Sequence, residues 1–248
     1  MEDYGENRVI IFQPMSPFYL IFLLSLSMFL LPYLIITGII FSRSLEVPPY
    51  LVFMVFLLSL FGSCVNIRIK EVESIQPIIY FREVYFFGVR WHIPEIIYSP
   101  GKTVIAINVG GALIPLLFSI YLLISSAPIH ENPLVSYVKI LVAFIVVTLV
   151  VHAFAKPIRG LGIAVPSFIP PLISAIVAAI LFPIYAKTNP FIIAYIGGTL
   201  GTLVGADLLN WKKLPELGAS IASIGGAGIF DGVYMTGITA VLILWLFI

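Results

Sequence analysis

Apolar residues run along this chain in long blocks, and the polar residues between them come in short clusters. A helix needs ~20 apolar residues to cross a bilayer. Seven blocks reach or approach that length: 18–41, 49–66, 104–126, 135–155, 166–186, 190–210 and 219–247. The second is the shortest. Between the second and third, residues 67–103 break the pattern. Asn66-Ile67-Arg68-Ile69-Lys70-Glu71-Val72-Glu73 alternates as a half-exposed strand does, Val84–Ile93 reads as a second strand, and Lys102–Asn108 begins as a third before turning helical. The pattern predicts an all-α polytopic membrane protein. One integral domain, 1–248, carries about seven transmembrane helices, with a small cytoplasmic β element between helices 2 and 3.

Composition agrees with a membrane class. Only 10% of the residues are charged and 60% are hydrophobic, against ~25% charged in an ordinary soluble domain. A net charge of +1 gives no footing for nucleic acid, so the partners expected are membrane lipids. The single cysteine, Cys64, excludes an internal disulfide and a cysteine metal cluster. The polar stretch Met1–Ser16 lacks a basic leader, and no small-residue cleavage site closes the block after it, which argues against a cleaved signal peptide. The basic residues then orient the chain. Ten fall in the N-terminus and the even-numbered loops, and three (Arg43, Lys139, Lys187) on the other side. That asymmetry predicts the cytoplasmic membrane, with the N-terminus and residues 67–103 inside and the C-terminus outside.

The candidate chemistry sits in the last two blocks, a glycine-rich helix pair over 190–247. Asp207 and Asp231 are the acidic residues within the apolar spans. Charge at membrane depth costs on the order of 3 kcal/mol, which makes each a functional candidate. Gly197, Gly201 and Gly205 fall within about 80° on one helix face, and Gly225, Gly228 and Gly232 within about 60° on the next. The two glycine faces are expected to pack on each other. Asp207 and Asp231 then project to one side of the hairpin. If the sixth helix ends near Asn210, the two acids differ in depth by about 13 Å. If it runs on to a turn at Gly218, with Ser220 capping the seventh helix, they become level.

Two facing carboxylates share one proton, so one can activate water while the other protonates a carbonyl. Gly228-Ile-Phe-Asp231 resembles the Gly-x-Gly-Asp signature of intramembrane aspartyl proteases, with two residues inserted before the acid and no Tyr-Asp at Asp207. The resemblance implies a hydrolase of transmembrane peptides with Asp207 and Asp231 as catalytic residues. Asn108 and the kinked third or fifth helix would form the opposite wall. Gly228, Gly232, Asn210 and Tyr234 would support the site, Tyr234 by bonding Asp231 three residues away. Asn108-Val-Gly-Gly-Ala-Leu-Ile-Pro115, Val165-Pro-Ser-Phe-Ile-Pro-Pro171 and the two aspartate segments resemble, over 62–247, an uncharacterised family of prokaryotic multi-pass membrane proteins, which implies no activity.

A second class fits the same residues. Gly110-Gly111, Gly197-Gly198 and Gly225-Gly226 are potential helix breaks, and broken helices with carboxylates bind the monovalent cations of ion-coupled transporters and channels. Asn108, Thr199, Thr202 and Asn210 would add oxygen ligands, and a chain this small would need to act as a homo-oligomer. Val109-Gly-Gly-Ala and Ile224-Gly-Gly-Ala are locally alike. The third reading is a structural membrane scaffold. No phosphate loop, zinc motif or Ser-His pair is present, so neither a cofactor nor a metal is expected.

Overall fold

The computed structural model describes residues 9–11, 21, 25, 33, 35–87, 89–129, 132–158, 162–226 and 232–248. After β1 (Val9–Ile11) come α1 (Ile35–Leu45) and α2 (Pro49–Gly62), which meet at 120°. Glu46 adopts φ +57°, and Pro48 and Pro49 follow it. The backbone leaves the helical region at Glu46, the Val47 N–H closes the end of α1 on Ser42 O at 3.0 Å, and Pro48 and Pro49, which cannot donate, start α2 as the chain doubles back.

The segment read as a small β element is a long ribbon. Strands β2 (Val65–Phe86) and β3 (Val89–Asn108) pair antiparallel from Asn66↔Asn108 to Phe86↔Val89, with one bulge between Arg68 and Lys70. The first and third expected strands are the two arms of its base, and the second straddles its tip. β1 pairs antiparallel with β2 at residues 65–67. β6 (Ile221–Ile224) pairs parallel with β3 at residues 104–107. The base is thus a four-stranded sheet ordered β1-β2-β3-β6. Beyond it the ribbon continues as two strands alone.

Both arms of the ribbon enter membrane-type helices with almost no linker. Ser63 and Cys64 join α2 to β2, while Asn108 joins β3 to a π-turn (Val109–Leu113) and then to α3 (Ile114–Ser125). Pro115 lies just past the π-turn, inside the continuous helical run Val109–Ile129. α4 (Pro133–Phe154) follows, then a short hairpin of β4 (Lys156–Ile158) and β5 (Gly162–Ala164), then α5 (Ile169–Leu181). α6 (Pro190–Thr202) continues through a second π-turn (Leu203–Asp207) into a 3-10 segment (Leu208–Leu217). α7 spans Gly232–Phe247.

The chain is therefore not the seven-span, all-α bundle that hydropathy suggested. Among the described residues three helices are long and apolar enough to cross a membrane: Val109–Ile129, Pro133–Phe154 and Pro190–Leu214. The bent pair α1 and α2 makes a fourth if it is one span, and α5 and α7 are shorter. The last block loses its first third to β6 and a glycine turn, so Ser220 caps no helix. Gly218 does terminate the 3-10 segment, in the left-handed conformation at φ +66°.

α6 is the axis of the bundle. Ile192, Ile193 and Ile196 are fully buried and join Phe41, Phe118 and Leu244 from three other helices in one core. Its Gly197, Gly201 and Gly205 do not face α7, as expected, but α4. A Cβ on Gly197 would lie 2.8 Å from the Ala143 Cβ, and one on Gly201 2.7 Å from the Val147 Cβ. α7 instead approaches through Gly198 and Gly237, with the Thr202 hydroxyl donating to Thr236 Oγ1 at 3.4 Å. Gly201→Leu should wedge α4 from α6 and destabilise the fold by about 2 kcal/mol or more. A thermal melt of the detergent-solubilised protein checks this, and an unchanged midpoint would refute the seam.

Candidate functional site

The second π-turn ends at Asp207. Widening the helix by one residue per turn misaligns its carbonyls with the donors that follow, and such turns recur at functional sites. Here Asn210, 1% exposed, closes the gap: its side-chain amide donates to Gly205 O at 3.2 Å and to Ala206 O at 2.9 Å, while its Oδ1 accepts from Lys213 Nζ at 2.9 Å. The His152 ring joins from α4, its Nδ1 lying 3.3 Å from both Gly205 O and the Asn210 amide. An Nδ1–H would donate to the carbonyl, and a bare Nδ1 would accept from the amide. Asn210 is therefore the lock of the broken helix, not a loose oxygen ligand. His152 and Lys213 belong to the same lock. No local pattern in the chain signals this lock, because its members lie on separate elements or outside the apolar blocks.

Asp207 is half-buried, and its Oδ2 accepts from the backbone N–H of Gly225 at 2.8 Å. Gly225 and Gly226 sit at φ +80° and +88°, a left-handed pair that only glycine adopts without strain. They turn the chain out of β6 toward α7. Gly228 and Asp231 lie outside the described residues; Gly232, the first residue of α7, follows Asp231 directly in sequence. Gly232 is exposed and packs on nothing within 4 Å of where a Cβ would stand. Tyr234 is buried against α2, its ring edge-on to Phe56 at 6.5 Å between centroids.

Asn108 reaches the same glycine turn from the other side. Its Oδ1 accepts from Gly111 N at 2.7 Å and so caps the first π-turn, while its Nδ2 donates to Ser63 O at 2.6 Å and to Asn66 Oδ1 at 3.1 Å. Asn66 Oδ1 also accepts from the Ser223 hydroxyl at 2.5 Å. Asn66 and Asn108 are essentially inaccessible, at 0% and 1% exposure, and Asn66 Nδ2 has no acceptor among the described residues. The capped π-turn then meets the glycine turn directly: a Cβ on Gly225 would stand 2.5 Å from the Ala112 Cβ and 2.6 Å from its N.

The two Gly-Gly-Ala segments that look alike in sequence thus each follow one of two parallel strands, and Ala112 of the first touches Gly225 of the second. Asp207 and Asn108 do not touch each other. Asp207 bonds Gly225 directly, whereas Asn108 bonds Asn66, whose Oδ1 accepts from Ser223. Asn66 and Ser223 were not among the expected site residues; a polar residue at the very edge of an apolar block was the available signal for Asn66.

No curated protein and no solved structure matches this chain. A family model described as a protein of unknown function, DUF1614, matches residues 60–243, from the end of α2 through most of α7, and the chain belongs to that family.

Proposed function

We propose that this protein is a membrane-embedded aspartyl hydrolase acting on transmembrane peptides, with Asp207 and Asp231 as its proton-sharing pair. The observation that carries the reading is the 2.8 Å bond from Gly225 N–H to Asp207 Oδ2, which ties one carboxylate to the segment leading to the other. In the reaction the ionised carboxylate takes a proton from water as its oxygen attacks the peptide carbonyl. The protonated partner gives its proton to the carbonyl oxygen, and collapse of the tetrahedral species expels the amine, which leaves protonated. A shared proton lets either acid take either role.

The packing of β2, β4 and β5 against the 208–217 segment supports a common side for the sheets and their lysines. By the distribution of basic residues that side is the cytoplasmic one. β1 on the same sheet supports a cytoplasmic N-terminus, and α7, leading away, an external C-terminus.

One observation favours a monovalent-cation site for transport, namely the π-turn beside Asp207. Against it, the carbonyls freed there are already bonded by Asn210. The deciding experiment expresses Asp207→Asn and Asp231→Asn with a membrane-anchored reporter substrate and measures cleavage and sodium or proton flux together. The hydrolase reading expects each variant to lose at least ~100-fold in cleavage with an unchanged melting midpoint. Flux lost in both variants, with no cleavage by the parent protein, would establish transport instead.

A further inference from the structure

Past the four-stranded base the ribbon has two faces with different chemistry. On one, which also exposes Phe81 and Tyr85, the charges pair within the ribbon: Glu83 lies 3.5 Å from Arg90 and 3.4 Å from His92, and the Arg90 guanidinium stacks 5.4 Å over the Tyr85 ring. The other face carries Tyr80, Arg82 and Val84 from β2, directly opposite Glu95, Ile93 and Trp91 from β3. Ile97 and Val89 extend it at either end. Trp91, Tyr80 and Ile93 are each about half exposed (56%, 55% and 50%). Among the described residues Arg82 and Glu95 have no ion-pair partner. The strand edges are poorly suited to an added strand, because Pro77 interrupts the donors of β2, and Pro94 and Pro100 those of β3.

We infer that this face is the contact between two copies of the chain. Its apolar side chains offer about 600 Å², near the ~800 Å² per partner of a stable interface, and Arg82 and Glu95 make up the remainder. The charges select a second copy over any other occupant. A two-fold axis parallel to the ribbon sets β2 of one copy against β3 of the other. Arg82 then faces the strand that carries Glu95, two residues away and within reach of both long side chains. Because the contact is isologous, the pair forms twice. Ile93 lies level with Arg82, and Trp91 and Val84 pack between the copies on the tip side of the two pairs.

The test uses full-length chains labelled with donor or acceptor fluorophores and reconstituted together in vesicles over a range of protein-to-lipid ratios. Wild-type copies transfer energy. R82E and E95R each self-associate about tenfold or more weakly, because like charges then meet twice. R82E mixed with E95R regains transfer, since every contact between those two chains is again between opposite charges. Both variants keep the wild-type melting midpoint, as the substituted side chains are exposed. Wild-type chains that show no transfer, single variants that associate like wild type, or a mixture that fails to recover would each overturn the assignment.

Discussion

Alanine at Gly225 is expected to lower stability by about 3–5 kcal/mol, combining the strain of a left-handed residue with overpacking. The backbone there is at φ +80°, and the new methyl would stand 2.5 Å from the Ala112 Cβ and 2.6 Å from the Ala112 nitrogen. Ala112 is held by the capped π-turn, so it cannot retreat without breaking the Asn108 cap. Relief must come from Gly225 moving toward β6, which pulls its N–H from Asp207. One substitution should therefore depress the melting midpoint by roughly 10 °C for a chain of this size and disturb the carboxylate. Gly232→Ala is the matched control, because the added methyl meets nothing within 4 Å. A midpoint for Gly225→Ala close to that control would show that the two Gly-Gly-Ala segments are not in the contact described.

Asn108 should be equally intolerant, for a different reason. If it only capped a helix, aspartate would replace it with little loss, since the two residues cap equally well. But its Nδ2 also gives two hydrogen bonds, to Ser63 O and Asn66 Oδ1. Aspartate would turn that donor into an oxygen facing two other oxygens, in a site with 1% exposure. Asn108→Ala is expected to cost about 2–4 kcal/mol through the unpaired groups it leaves, and Asn108→Asp at least as much at neutral pH. Denaturation of both variants in the same detergent gives the order. Aspartate nearly restoring wild-type stability would reduce Asn108 to a simple cap.

Some of this was legible in the chain and some was not. The alternation Asn66–Glu73 identified β2, but the packed face there carries Asn66 and Arg68, and Ile67 and Ile69 are the exposed ones. The full length of the ribbon was hidden by Pro77, Pro94 and Pro100, which read as strand breakers. They are tolerated because most of the ribbon has free edges, where a missing N–H breaks no ladder. β6 was invisible for the opposite reason: Ile221-Ala-Ser-Ile has no pattern of its own and is a strand because β3 presents a parallel neighbour. Counting apolar windows overstated the spans, since a window cannot see a 120° reversal at Glu46–Pro49.

At the site, the glycine spacing correctly marked a close-packed face on α6 but not its partner. Any helix with small facing residues would serve, and Ala143 and Val147 made α4 that helix. Asp207 was singled out by its depth alone. Its bond to Gly225 depends on the turn after β6, which no local rule could foresee.

The join between ribbon and bundle has a mechanical consequence. β2 leaves α2 after two residues, and β3 enters the third membrane-type helix through Asn108 alone. An arm mounted on so short a neck has no hinge at its root, so tilting it loads both helices at once. β6, riding on β3, carries the same displacement to Gly225 and hence to the Asp207 carboxylate. The base of the ribbon and the acid are thus joined by an unbroken hydrogen-bonded path.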